Sequence, residues 1–235
     1  MNNFGLSEQR IFNSQFDRRV WLAETPADTA LIFLDAELYL QRVHAIEVLQ
    51  QLLSDQKIPP VSAAFVSNHS AASRHADYVC SDAYATFIAK DVVGWLKQQQ
   101  PALREFLIIG LSLSGLAAAH IASRYQGTFR AAICQSPSFW WEQGRFAAEL
   151  PVAKTSQQYW ICVGSRETDS GVSHPPSGLR QDWTQIAGCD FVCAAMREKG
   201  YDLEYRTYDG GHDPVCWRED LQQALPWLWK GNACP

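Results

Sequence analysis

Several features are missing from this chain, and each absence removes a class of function. No apolar run approaches the roughly 18 residues of a membrane span, and the amino terminus, Met1-Asn-Asn-Phe-Gly-Leu-Ser-Glu, has neither the basic segment nor the apolar core of a secretory leader. A cytoplasmic protein without membrane contact is the resulting expectation. Basic residues are not in excess: the formal net charge is −5, so no global positive field recruits nucleic acid or anionic lipid, and an anionic ligand must be held by local arginines. The seven cysteines are scattered without Cys-x-x-Cys pairing and read as free thiols in a reducing compartment, with no metal and no cofactor expected. No break in composition divides the 235 residues, which are enough for one large domain with an extensive core over residues 1–235.

What is present is alternation. Apolar runs alternate with helical stretches from residue 30 to the end, the pattern of an α/β fold with a mostly parallel sheet. Residues 10–16 and 18–24 read as an antiparallel hairpin. The later strand candidates are 30–34, 61–67, 106–109, 131–135, 159–163 and 203–208, about eight strands in all. Apolar residues at helical spacing mark 40–53, 87–96, 183–196 and 217–229, amphipathic stretches whose apolar faces belong to the core. Two stretches, 68–81 and the Ser/Pro/Gly-rich 169–180, fit neither pattern. Both follow strands at the edge where open α/β sheets bind ligands, so they are expected to be substrate loops.

The most informative segment is Phe106-Leu-Ile-Ile-Gly110-Leu-Ser112-Leu-Ser-Gly115, which runs on into Leu116-Ala-Ala-Ala-His120. It reads as strand, sharp turn and helix with a serine at the apex, where small neighbours let strand and helix approach: a nucleophile elbow. The usual Gly-x-Ser-x-Gly spacing puts Ser114 where the second glycine is expected. Ser114 is itself an alternative apex, but Leu116 is then bulky where a small residue is wanted.

A serine nucleophile needs a histidine base and a carboxylate that orients it, and in α/β-hydrolases these follow in the order Ser, acid, His. His212, on the turn Tyr208-Asp-Gly210-Gly211-His212-Asp213 after the last strand, fits the base better than His174, which sits in a Pro/Ser loop. The acid is open between Glu167 and Asp169 in the loop after 159–163; Asp213 is too close to His212 in sequence to face its ring, and Asp209 ends a strand. Oxyanion donors would be the backbone N–H of Leu113 and one from Asp35-Ala36-Glu37.

Taken together, these segments resemble the enterochelin (enterobactin) esterase family, within the wider esterase group that includes esterase D. The elbow Gly110-Leu-Ser112-Leu-Ser-Gly115-Leu is similar to that family's Gly-x-Ser-x-Gly-Gly-Leu. Cys134-Gln-Ser136-Pro-Ser-Phe139-Trp140-Trp141 resembles Ser-Gln-Ser-Gly-Ser-[Tyr/Phe]-Trp-Trp, and Gly210-Gly-His212-Asp213-Pro-Val-Cys216-Trp217-Arg218 resembles Gly-Gly-His-Asp-x-x-Cys-Trp-Arg. Arg74-His-Ala-Asp77-Tyr-Val-Cys80 is similar to Arg-x-x-Glu-Leu-x-Cys, with Asp77 in place of glutamate. Gly164-Ser-Arg166-Glu167 is similar to Gly-x-Arg-Glu, which favours Glu167 as the acid.

The resemblance implies an α/β-hydrolase fold, helices on both faces of the sheet, and a serine esterase for a catecholate siderophore lactone or its linear products. The family's cytoplasmic enzymes carry an amino-terminal domain for which this sequence has no room. Aromatic, anionic substrates of that kind call for aromatic surfaces and arginines, so Trp140, Trp141, Arg74, Arg166 and Arg218 are expected to contact substrate, with Leu113, Ala36 and Glu37 at the oxyanion. Two other functions remain open at this point: a general carboxylesterase or thioesterase for a small acyl ester, and a non-catalytic siderophore-binding protein that keeps the fold.

Overall fold

The computed structural model of the protein describes residues 5–175 and 178–229. Eight strands form one sheet: β1 (Leu6–Phe12), β2 (Asp17–Ala23), β3 (Thr29–Leu34), β4 (Ser62–Val66), β5 (Glu105–Leu111), β6 (Ala131–Gln135), β7 (Gln158–Gly164) and, after the short β8 (Val172–His174) and β9 (Leu179–Gln181), β10 (Asp202–Tyr208). Their spatial order is β1-β2-β4-β3-β5-β6-β7-β10. All neighbours from β4 to β10 run parallel; β2 meets β4 antiparallel and β1 meets β2 antiparallel. Among the described residues no helix is long and apolar enough to cross a membrane.

The central strands are apolar along most of their length because both of their faces are covered. In β3, Ala30, Ile32 and Leu34 enter the core layer shared with the helices Val93–Gln99, Ser112–Arg124 and Gln185–Glu198. The alternate residues Leu31 and Phe33 enter the opposite layer, against the helices Ala45–Ser54 and Pro214–Trp227. The six free cysteines among the described residues are buried or half-buried.

Three local readings of the sequence need correction. The first hairpin strand ends at Phe12 rather than Phe16, because the Asn13 side chain accepts hydrogen bonds from the N–H groups of Gln15 and Phe16, each 2.8 Å, and closes the turn there. The stretch 40–53 is not one helix: a wide turn over Tyr39–Val43 ends at His44, whose left-handed backbone (φ 57°) restarts a regular helix at Ala45–Ser54. Residues 68–81 are not a substrate loop. They hold the helix Ala71–Tyr78, capped reciprocally by Ser70 and Ser73 and tied to β2 by a buried ion pair between Arg18 and Asp77.

Candidate active site

The site assembles at the carboxyl edge of the sheet, from the ends of β3, β5, β6, β7 and β10. Strand β5 passes directly into the helix Ser112–Arg124, and Ser112 takes a left-handed conformation, φ 53°, at the junction. A residue with a Cβ in that region is strained and persists where its surroundings over-determine it. Gly110 supplies part of that constraint: a Cβ there would lie 2.0 Å from the Ser114 carbonyl oxygen. Gly110→Ala is therefore expected to cost about 3 kcal/mol or more in urea unfolding; a variant as stable as the parent would mean that strand and helix can separate.

Ser114 closes the turn from inside. It is fully buried, its Oγ donates to the Leu111 carbonyl oxygen (2.8 Å) and accepts from the Leu111 N–H (3.0 Å). A serine at the position of the second glycine thus works as a cap on the elbow, and its hydroxyl points away from the cleft that Ser112 lines.

From Ser112 a chain of short contacts leads inward. His212 Nε2 lies 2.9 Å from Ser112 Oγ, and His212 Nδ1 lies 2.6 Å from Glu167 Oε2. His212 is partly exposed, whereas the Glu167 side chain is 3% exposed. The other oxygen, Glu167 Oε1, accepts from Ser136 Oγ (2.6 Å), the Gly164 N–H (2.7 Å) and Tyr208 Oη (3.0 Å). Burial by itself raises the Glu167 pKa, but the hydrogen bond to His212 and those from Ser136 and Gly164 outweigh it and hold the carboxyl below the ordinary glutamate range. Asp169 lines the cleft without touching His212, Asp209 is exposed toward Arg166, and Asp213 caps the last helix by accepting from the Val215 N–H.

The loops that carry His212 and Glu167 can approach because both are glycine-lined. A Cβ on Gly164 would stand 2.5 Å from the Gly210 carbonyl oxygen. Trp217 meets the His212 ring edge to face at 4.8 Å and donates from Nε1 to Ser136 Oγ at 3.1 Å. The helix bearing Trp217 is fixed in turn by Gln135, whose amide donates to Trp217 O and Asp220 Oδ2, each 2.7 Å.

Leu113 is the second residue of the elbow helix, and Ala36 opens the helical turn after β3, so both carry first-turn N–H groups without an intrahelical acceptor. Strand β3 pairs in parallel with β5, Phe33 opposite Ile109. Asp35 and Ala36 follow the end of β3 and Ser112 follows the end of β5, so the two turns leave neighbouring parallel strands at the same edge of the sheet. Glu37 is turned toward Asn68 and Arg19.

A cleft of about 240 Å³ opens beside Ser112 and His212, lined by Ser138, Trp140, Arg166, His174 and Gln185 among others. Asp169, Val172 and His174 form part of its wall, β8 pairs antiparallel with β9, and His174 stacks on Trp140 (5.2 Å, 9° between planes). Trp140 is held from behind by Gln185, which accepts its indole N–H at 2.7 Å and donates to the Pro137 carbonyl at 2.7 Å.

The remaining residues expected at substrate go elsewhere. Trp141 packs away from the cleft with Arg145 over its ring. Arg74 forks onto the Asp35 carboxylate (Nε to Oδ1 2.8 Å, Nη2 to Oδ2 2.6 Å), and Arg218 reaches Glu47 (3.4 Å) on the neighbouring helix. Both arginines are consumed by acids of this chain and neither lines the cleft; of the three, only Arg166, 71% exposed, does. Ser136 and Tyr208 were not singled out by the sequence reading. Ser136 lies within the quoted Gln-Ser-Pro-Ser segment and Tyr208 directly precedes the Asp-Gly-Gly-His turn, but nothing local marks either as a partner of Glu167.

A parallel sheet with this strand order, a strained serine on the β5 elbow and a histidine after the last strand define an α/β-hydrolase. The chain belongs to the family described as Putative esterase, whose model matches residues 21–228. It is 24% identical over 228 residues to the iron(III) enterobactin esterase of Dickeya dadantii and 24% identical over 227 residues to that of Escherichia coli K12, alignments covering 92% and 91% of this chain but 52% and 54% of those proteins. The chain therefore spans about half the length of these relatives. Among solved structures, the enterobactin esterase of Shigella flexneri superposes with a TM-score of 0.81 at 21% identity, over 97% of this chain and 60% of that one. The siderophore hydrolase EstB of Aspergillus nidulans gives 0.78 at 14% identity, over 98% and 96%.

Proposed function

We propose that this chain is a serine esterase whose nucleophile is Ser112, whose base is His212 and whose orienting acid is Glu167, acting on ester bonds of a catecholate siderophore of the enterobactin type or its linear products. The observation that carries the reading is the unbroken hydrogen-bond chain from Ser112 Oγ through both ring nitrogens of His212 to a buried Glu167.

In the first step Ser112 Oγ attacks the ester carbonyl carbon as His212 Nε2 takes the hydroxyl proton. The developing oxyanion accepts from the N–H groups of Leu113 and Ala36. Collapse breaks the acyl C–O bond, His212 returns its proton to the departing alcohol oxygen, and an acyl-Ser112 ester remains. Water then attacks that ester as it gives a proton to His212; the acyl C–Oγ bond breaks, His212 returns the proton to Ser112 Oγ, and the carboxylic acid product leaves. Glu167 stays ionised throughout and stabilises the imidazolium.

The siderophore assignment leans on the named activity of the Dickeya and Escherichia relatives, and on Trp140 and Arg166, an aromatic wall and a cation at the cleft. The small cleft favours a second reading, a carboxylesterase for small acyl esters. A mass-spectrometric hydrolysis panel separates them. Cleavage of a catecholate trilactone or its linear forms, with or without iron, supports the siderophore reading. Turnover confined to simple acyl esters moves the protein to the carboxylesterase reading, and tight retention of the trilactone without cleavage makes it a binding protein.

A further inference from the structure

Arg74 and Asp35 form the least expected contact near the site. Asp35 is the last residue before the helical turn that begins with Ala36; it is wholly buried and left-handed (φ 57°, ψ 52°). For a residue other than glycine that conformation is uncommon and is kept where neighbours fix it. Every polar group of Asp35 is engaged. Its carboxylate takes the Arg74 fork and the Asn68 side-chain amide (2.9 Å), its N–H donates to Tyr78 Oη (3.1 Å), and its carbonyl accepts from the N–H groups of Leu38 (2.9 Å) and Tyr39 (3.1 Å). Arg74 and Tyr78 sit one turn apart on the helix Ala71–Tyr78, with the guanidinium 5.5 Å from the centre of the Tyr78 ring, so a single helix grips the turn from both sides.

Building on the esterase reading above, we infer that Arg74 is a positioning residue: its bidentate hold on Asp35, with Tyr78, locks the left-handed turn that aims the Ala36 N–H at the oxyanion, and it does not bind substrate. Three features separate this from a general structural role. The acid it holds is the residue immediately preceding the proposed donor. That acid's backbone, as well as its side chain, is bonded to the same helix. The helix itself is anchored to β2 by a separate contact, the Arg18–Asp77 pair, which does not involve Arg74. Without Arg74 the buried Asp35 charge lacks its cationic partner, and the turn is expected to relax toward solvent.

A backbone donor displaced by about 1 Å loses much of its effect on the transition state while the ground-state complex is little changed. Arg74→Ala is therefore expected to lower kcat roughly ten- to a hundredfold, with KM nearly unchanged and with the same fractional loss on neutral p-nitrophenyl acetate and anionic p-nitrophenyl succinate. Rates are expressed per Ser112 labelled by a fluorophosphonate, so that a misfolded fraction does not count. Arg74→Lys, which restores the charge but not the fork, should recover part of the loss. Tyr78→Phe removes only the hydroxyl that receives the Asp35 N–H and keeps the buried ring; it guards against a poorly folding Arg74→Ala and should show a smaller fall in kcat, again without a change in KM. A loss appearing only as raised KM for the succinate ester would overturn the proposal in favour of substrate contact. Unchanged kcat in the Arg74 and Tyr78 variants, in an enzyme that Ser112→Ala inactivates, would overturn it while leaving the esterase reading intact; a parent protein that turns over neither of these esters nor a catecholate trilactone would remove the esterase reading and the positioning role of Arg74 with it.

Discussion

Ser112→Ala is expected to reduce ester turnover by on the order of 10⁶ and to abolish labelling by a fluorophosphonate probe, with no loss of fold. The fold is expected to survive because the elbow is held by groups other than the Ser112 hydroxyl: Gly110 permits the close approach, Ser114 caps the turn, and the Ser112 carbonyl accepts from the Ser138 N–H (3.0 Å) through the backbone alone. Ser114→Ala supplies the control. It should keep labelling while losing stability, since the Leu111 N–H is left buried without its acceptor. Labelling that survives Ser112→Ala and disappears in Ser114→Ala would place the nucleophile at Ser114.

Glu167→Gln should lower kcat by about 10⁴, and the reason lies in which way the amide must face. Three donors, Ser136 Oγ, the Gly164 N–H and Tyr208 Oη, converge on Oε1, so the glutamine oxygen is held there and its NH₂ falls opposite His212 Nδ1. An NH₂ in that place donates, which makes Nδ1 the acceptor and puts the ring proton on Nε2. The imidazole then cannot receive the Ser112 proton. Loss of only a few-fold would describe the site as a serine-histidine pair, and a matching loss in Asp169→Asn would move the acid to the cleft wall.

The same substitution has a signature in stability. The Glu167 carboxyl titrates below the ordinary range in the folded protein, so its contribution is whole above the unfolded value of about 4.3 and is lost as the pH falls through the lower folded value. The stability difference between the parent and Glu167→Gln should therefore shrink on acidification through that window. A difference that stays constant down to the foot of the acid transition would show that the ionised carboxylate contributes nothing.

How much of this was legible beforehand varies with the kind of signal. The main strands, the elbow and the Gly-Gly-His turn could be read because apolar runs and glycine-permitted turns are local. The helix Ala71–Tyr78 could not, because the residues it buries most are Asp77 and Tyr78 rather than a stripe of aliphatics, and its cap pairs Ser70 with Ser73 instead of a glutamate. Apolar periodicity is silent for a helix held by ion pairs and hydroxyls. Arg74, Arg218 and Trp141 were expected at substrate because aromatic, anionic substrates call for such side chains, and an arginine or tryptophan is ambiguous until its partner is known; those partners, Asp35, Glu47 and Arg145, are 39, 171 and 4 residues away in sequence.

By itself, then, the chain determined the α/β alternation, the place of the strained serine and the glycine turn that carries His212, since each follows from spacing within a few residues. The family resemblance favoured Glu167 over Asp169, and the tertiary structure brings Glu167 against His212; only the tertiary structure decided that Ser136 and Tyr208 complete the seat of that carboxylate and that Arg74 faces Asp35 instead of the cleft. Those contacts form between the ends of strands brought side by side in the sheet, and hydrogen bonds reach only about 3 Å, so no local spacing encodes which hydroxyls seat the carboxylate or which of three arginines arrives within range.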